Sequence, residues 1–205
     1  MKIKKFEAAV AVALVLSVLL SVLSFAITSD SIEKDVLRLH ILANSDSAED
    51  QSLKIKVRNS VIENESDIFD GVGNVTAAKE KVIRNYDRIK ASAKKVIREE
   101  GYDYPVSVRI EKTYFPTRYY ESFTLPAGYY EALRIVIGEG KGHNWWCVMY
   151  PPLCVGSAAQ VKKEYSKLPD REKKLITSNP RYDIRFKTYE IYKKLLKYLK
   201  EKTDK

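Results

Sequence analysis

The stretch Leu37-Arg38-Leu39-His40-Ile41-Leu42-Ala43-Asn44-Ser45-Asp46-Ser47-Ala48-Glu49-Asp50 decides the fold. Its first five residues alternate apolar and polar side chains with period two, as a half-buried strand does. The polar run Asn44-Ser45-Asp46-Ser47 then breaks the pattern. Ser47 and Asp50 stand three apart, the spacing of a capping box with Asp in place of Glu. A helix is predicted from about Ala48 to Glu65, with Leu53, Val57 and Val61 on one stripe.

Downstream, Asp70-Gly71-Val72-Gly73 reads as a turn. The strongest helical pattern follows: Val75, Ala78, Val82, Tyr86, Ile89, Ala93 and Val96 recur in steps of three and four. That spacing predicts one long helix, stopped by Gly101 as a C′ glycine. Val106, Val108 and Ile110 alternate with polar residues, which predicts a strand. Tyr119–Leu125 and Tyr129–Ile137 also read as strands, and Pro126-Ala127-Gly128 between them suggests a hairpin. The glycine-punctuated Gly138–Gly142 leads into a last strand, Trp145–Tyr150. The C-terminal segment is helical, with Tyr189, Tyr192, Leu196 and Leu199 on one stripe and lysines opposite. This order predicts an α+β fold: one domain with a mostly antiparallel sheet packed by helices.

Upstream lies a different kind of sequence. Ala8–Ile27 is apolar except for Ser17, Ser21 and Ser24, and as a helix it spans about 30 Å, the thickness of a bilayer's hydrocarbon. Lys2, Lys4 and Lys5 precede it, while Asp30, Glu33 and Asp35 follow. The basic flank is expected to stay in the cytoplasm and the rest to cross. Two readings stand: a signal peptide cut after Ser24-Phe25-Ala26, and an uncleaved N-terminal anchor holding the protein in the membrane through residues 8–27. In both, the body works outside the cytoplasm. The chain therefore divides into 1–29, a signal peptide or anchor; 30–155, an α+β core; and 156–205, a basic helical segment of the same domain.

The 205 residues are 45% apolar and 31% charged, enough for one core and too few for a multidomain machine. The formal charge is +9. Residues 1–155 carry 21 basic and 20 acidic residues, whereas 156–205 carry 15 and 7, so the basicity belongs to the tail. An exported domain rarely meets nucleic acid, and no nucleic-acid partner is expected. The lysine-rich final helix could instead hold an anionic lipid or wall polymer, or present a solvated face.

Cys147 and Cys154 are the two cysteines. Outside the cytoplasm their Cys-x6-Cys spacing reads first as a disulfide, worth about 2.5 kcal/mol by loop closure. Two buried free thiols, or a Cys147 nucleophile with His143 as base, are the alternatives. With only two histidines, His40 and His143, no metal site is expected, and no cofactor. Asn44, Asp46, Asp50 and Gln51 carry oxygen ligands without an EF-hand pattern, and a capped turn explains them. Gly138–Gly142 lacks the P-loop pattern and reads as a plain turn. Trp145 and Trp146 would face opposite sides of a strand, which leaves two readings: at least one indole is open to a partner, or both are core or covered by the C-terminal helices.

Two blocks of this sequence resemble the stage II sporulation protein R family of endospore-forming bacteria. The first is Leu37-Arg38-Leu39-His40-Ile41-Leu42-Ala43-Asn44-Ser45-Asp46-Ser47, continuing through Asp50-Gln51 to Leu53-Lys54-Ile55-Lys56-Val57-Arg58. The second starts at Phe115-Pro116-Thr117 and includes Pro126-Ala127-Gly128. It runs on through Tyr130-Glu131-Ala132-Leu133-Arg134-Ile135-Val136-Ile137-Gly138-Glu139-Gly140 and ends in Asn144-Trp145-Trp146-Cys147-Val148 and Pro151-Pro152-Leu153-Cys154.

The resemblance implies a signalling protein, not an enzyme, with no catalytic residues to carry over. It implies manufacture in the forespore and export into the space between forespore and mother cell. There it implies activation of a membrane-embedded aspartic protease that processes pro-sigma-E. The expected contact residues are His40, Asn44, Asp46, Asp50 and Gln51, with Trp145 and Trp146 second. The competing readings are an exported wall or peptide hydrolase using Cys147 or the Asp46/Asp50 pair, and a membrane- or wall-binding module anchored by the C-terminal helix.

Overall fold

The computed structural model describes residues 2–64, 66–69, 71–120, 123–153, 168–177 and 184–203. The chain forms two compact units, one of Glu33–Tyr114 with Tyr129–Pro169, the other of Met1–Ile32, Phe115–Gly128 and Asp170–Lys205.

The first unit is α+β. Its mixed, mostly antiparallel sheet has four strands: β1 (Leu37–Leu42), β2 (Val106–Phe115), β5 (Gly128–Ile137) and β6 (Asn144–Tyr150), in the order β2-β5-β1-β6. β1 runs parallel to β5, with Leu39 beside Leu133, and antiparallel to β6, with Leu39 beside Cys147. Leu37, Leu39 and Ile41 point to one face and share a core with Leu53, Val57 and Val61 of α2 (Ala48–Asn64). Each such buried side chain contributes about 1.5–3 kcal/mol. The stripe and extent of α2 match the sequence reading.

β1 itself departs from it. All six residues are buried, Arg38 and His40 included, because the strand lies inside the sheet and both its faces are covered. The Arg38 guanidinium donates from Nε to the Cys147 carbonyl at 3.3 Å and lies 5.1 Å from the centre of the Tyr130 ring. A buried cation survives by such partners.

The long helix predicted from Val75 is two helices, α3 (Val75–Arg84) and α4 (Tyr86–Glu99). Asn85 separates them: its backbone leaves helical geometry, at φ −109° and ψ 16°, while its side chain donates to the Lys81 carbonyl at 2.8 Å. Apolar spacing hides this break because Val82 and Ile89 keep facing the same core. Asn74 caps α3 by accepting from the Ala77 N–H at 2.9 Å. Gly101 ends α4 at φ +84°, with Gly101 N bonded to the Arg98 carbonyl and Tyr102 N to that of Ile97, a Schellman motif.

The hairpin expected around Pro126-Ala127-Gly128 does not form. Within Tyr119–Leu125, two short pieces pair differently: β3 (Arg118–Tyr119) runs antiparallel to β4 (Thr124–Leu125) as a separate two-stranded ladder. β5 takes β2 and β1 as neighbours.

The second unit holds most of α1 (Lys2–Asp35), the β3–β4 ladder, α5 (Asp170–Thr177) and α6 (Ile184–Thr203). α1 is one unbroken helix about 50 Å long. Its stretch Phe6–Asp35 is long and apolar enough to cross a membrane, and residues 6–24 are exposed throughout. From Phe25 onward the helix is packed: Phe25 joins Phe186 and Tyr189 of α6 in a small buried cluster. The apolar stripe predicted for α6 is buried only at Tyr189. Tyr192, Leu196 and Leu199 are exposed, and the inward face is set by Phe186 with Tyr189.

Candidate functional site

Parallel pairing of β1 with β5 brings the C-terminal ends of the two strands out side by side. The turn after β1 and the loop after β5 therefore meet, and the polar and the glycine-rich segments of the sequence become one structure. Backbone bonds join them, from Gly142 N to the Ala43 carbonyl at 3.0 Å and from Lys141 N to the Asn44 carbonyl at 3.1 Å. The Asn44 side-chain oxygen accepts from Glu139 N at 3.0 Å. Gly138 and Gly140 sit at φ +59° and +64°, a conformation that glycine adopts without penalty. A Cβ on Gly138 would overlap the Asn44 side chain, and one on Gly142 would run into the Ser45 carbonyl.

Asp50 organises the inner part. Ser47 Oγ accepts from Asp50 N at 3.1 Å, which caps α2. The reciprocal half of a capping box is absent. The shorter Asp carboxylate turns instead to Asn44 Nδ2, at 2.9 Å, and Ser45 Oγ, at 2.5 Å, and Ser47 N donates to Ser45 Oγ. Burial by itself would raise the Asp50 carboxyl, but hydrogen bonds from Ser45, Asn44 and Tyr104 outweigh it and hold the group below the usual carboxylate range. Gln51 donates to the Ser45 carbonyl at 2.9 Å, and Lys54 reaches both Gln51 Oε1 and the His143 carbonyl, at 2.5 and 2.8 Å. Burial lowers the Lys54 ammonium, with Asp46 acting in the opposite sense.

The outer part is exposed. Asp46 Oδ1 accepts from the His143 backbone N–H and meets its ring Nδ1. Those bonds hold the Asp46 carboxyl below its ordinary range. His143 is 80% exposed and Asp46 54%, so the knot presents a carboxylate-oriented imidazole to solvent, with Glu139 and Lys141 paired beside it at 2.7 Å.

The structure thus brings together Asn44, Asp46, Asp50 and Gln51 of the expected contact residues. His40 is not with them. It lies on the sheet face opposite α2, 5% exposed, its ring 6.0 Å from that of Trp146. Burial lowers its pKa to about 4, with Arg134 and Arg38 acting in the same direction against Asn144 and Glu111. Trp145 and Trp146 do face opposite sides, and both are half-buried. Trp145 packs against the main core beneath the Arg58 guanidinium, which stands 4.2 Å from its ring centre. His143, Glu139, Lys141 and Lys54 belong to the site although sequence reading left them outside it; the glycine spacing after β5 was the one signal that something closes there.

Two of the groups named for a hydrolase, Cys147 and Asp50, are otherwise engaged. Cys147 is buried and disulfide-bonded. Its predicted partner Cys154 lies outside the described residues. Asp50 is committed to α2's N-terminus, so Asp46 and Asp50 do not form an acid–base pair facing one substrate. Among the described residues, no group of three or more His, Cys, Asp or Glu is placed to hold a metal ion.

A family model described as stage II sporulation protein R matches residues 33–160, which include the whole knot. The stage II sporulation protein R of Bacillus subtilis (strain 168) is 44% identical over 126 residues, covering 60% of this chain and 55% of that relative. The chain thus spans about half the length of the curated relative it matches. No solved structure matches. With its α+β body and its knot both inside the matched span, this chain belongs to the stage II sporulation protein R family.

Proposed function

We propose that this protein is an exported sporulation signal that activates a membrane-embedded aspartic protease, triggering pro-sigma-E processing in the mother cell. The observation that carries the reading is membership of the family over residues 33–160. The long apolar α1 is compatible with a signal or an anchor and supports a protein delivered to or across the forespore membrane. A ligand of this kind works by differential binding: it shifts the protease only by as much as it favours the active state over the resting one.

The outer rim of the knot is the contact surface this reading favours. Asp46, Glu139, Lys141 and His143 are exposed, while the bonds beneath them fix their positions. A preorganised polar surface loses little conformational freedom on binding. Trp146 and Trp145 lie next along β6.

Co-expression with the protease and its sigma substrate in a non-sporulating cell tests the proposal. The substrate should be shortened only when all three are present. Processing that proceeds equally well without this protein, or that stays absent in its presence, would remove the proposal.

A further inference from the structure

We infer that the leader helix is kept uncut in the mature protein, so that the protein acts as an anchored ligand and not a diffusing one. The small-x-small site Ser24-Phe25-Ala26 that suggests cleavage is not in an exposed, extended segment. It lies in the interior of α1, which continues for nine residues beyond Ala26 to Asp35. Phe25 is 3% exposed. Its ring packs edge-on against Phe186 and Tyr189 at 4.8 and 5.5 Å, and the Arg185 guanidinium stands 5.6 Å from its centre.

One turn further on, Asp30 accepts from the Tyr189 hydroxyl at 2.6 Å and from Lys193 Nζ at 2.8 Å. Ser31 Oγ donates to Glu172 of α5 at 2.5 Å, and Glu172 is itself buried. A cut after Ala26 would take Phe25 out of this cluster and leave Phe186 and Tyr189 facing water. A protease meeting the folded chain would also have to unwind several residues of helix to reach the bond.

The position of the cluster supplies a second argument. Ala8–Ile27 is the stretch of bilayer length, so Phe25 sits where α1 leaves the hydrocarbon. There Phe25, Phe186 and Tyr189 close on one another in a buried cluster, with Arg185 and Lys193 beside their rings, so the exit of the span is tied to α6. Val36 alone then separates α1 from β1. The inference stands on this packing and does not depend on the protease reading.

The test is the intact mass and location of the full chain, tagged at its C-terminus and expressed in a bacterium with active signal peptidase. The uncut chain should appear in the membrane fraction and resist carbonate extraction. A mature chain starting at Ile27 in the soluble extracellular fraction overturns the inference, as does an uncut chain that carbonate releases. A second arm uses the full chain in detergent. Phe25→Ala and Phe186→Ala should each speed tryptic cleavage within α6 by tenfold or more, since each removes a buried ring, and leave cleavage within Glu33–Tyr114 unchanged. An unchanged rate within α6 would show that Phe25 holds nothing there.

Discussion

Arg38 and His40 belong to the same strand-and-turn stretch as Asn44, Asp46 and Asp50, yet the protein treats the two sets of polar groups in opposite ways. Within β1 they are buried on the sheet, and burial dominates: His40 is held neutral, its pKa lowered to about 4. Beyond the end of β1, donors dominate: Asp46 and Asp50 are held charged. The same few residues of sequence therefore contain a group protected from protonation by lack of water and two groups protected by hydrogen bonds. What distinguishes them is which effect wins: His143 of the loop after β5 bonds Asp46, and Ser45, Asn44 and Tyr104 bond Asp50, whereas at His40 burial outweighs the bond to Asn144. The knot is then both a structural closure and an ordered surface, whereas Arg38 and His40 are enclosed within the sheet.

The sharpest way to break the comparison is to open the closure. Gly142→Ala places a methyl against the Ser45 carbonyl and displaces the bond from Gly142 N to Ala43. Overpacking against backbone together with a lost hydrogen bond should cost about 4 kcal/mol. Gly73→Ala, where a Cβ meets nothing within 4 Å, should stay within about 0.5 kcal/mol of the parent. Urea unfolding of both variants measures the difference, and equal midpoints would mean that the loops are not locked together.

Acid titration separates the two kinds of protection. The folded-state pKa of His40 is below its unfolded value of about 6.5, so the unfolded state binds more protons between about pH 6.5 and 4. The stabilisation is complete above pH 6.5 and is lost as pH falls to about 4, in total about 3 kcal/mol. His40→Gln should flatten stability across that window. Asp50 acts lower on the scale. Its depressed folded pKa contributes stability that is present above the unfolded value of about 3.9 and is lost as pH falls further, through the folded value. A His40→Gln protein that keeps the full slope between pH 6.5 and 4 would show that burial of this ring does not govern the acid response.

Removing the Asp50 carboxylate has a smaller effect. Asp50→Ala strands the Asn44 amide and the Ser45 hydroxyl but leaves the Ser47 cap on the backbone in place. The expected loss is about 2 kcal/mol at neutral pH, measured by urea unfolding.

The parts of the fold legible in the sequence were the local ones. The Leu53, Val57 and Val61 stripe, the Ser47 cap and the Gly101 stop each depend on residues within a turn or two of one another. What escaped depends on pairing across long separations. Alternation at Leu37–Ile41 reports a strand but not that β5 and β6 flank it, and so it could not report that Arg38 and His40 are buried. The polar turn was visible as a candidate site for the same local reason. Its closure by Gly138–His143 was not, because that follows from β1 lying parallel to β5. The Phe25–Phe186 contact joins the two ends of the chain, and no periodicity carries such a signal.

The smallest effect on stability is expected at the rim, and it is the most informative about function. Asp46 and His143 are exposed, and an exposed side-chain contact of this kind contributes little to folding. Asp46→Asn and His143→Ala should therefore leave the thermal midpoint where it is in the parent. Their cost should appear in signalling: if the rim touches the protease, each variant should lower pro-sigma-E processing in the co-expression assay at unchanged protein level. Glu49→Gln, an exposed change in the first turn of α2, serves as a control for altered surface charge. Rim variants that signal as well as the parent would move the contact elsewhere on the body, with the exposed parts of Trp145 and Trp146 next to be tested. Rim variants that unfold early would instead join the knot's surface to its interior, and the contrast between an ordered surface and a structural core would no longer hold.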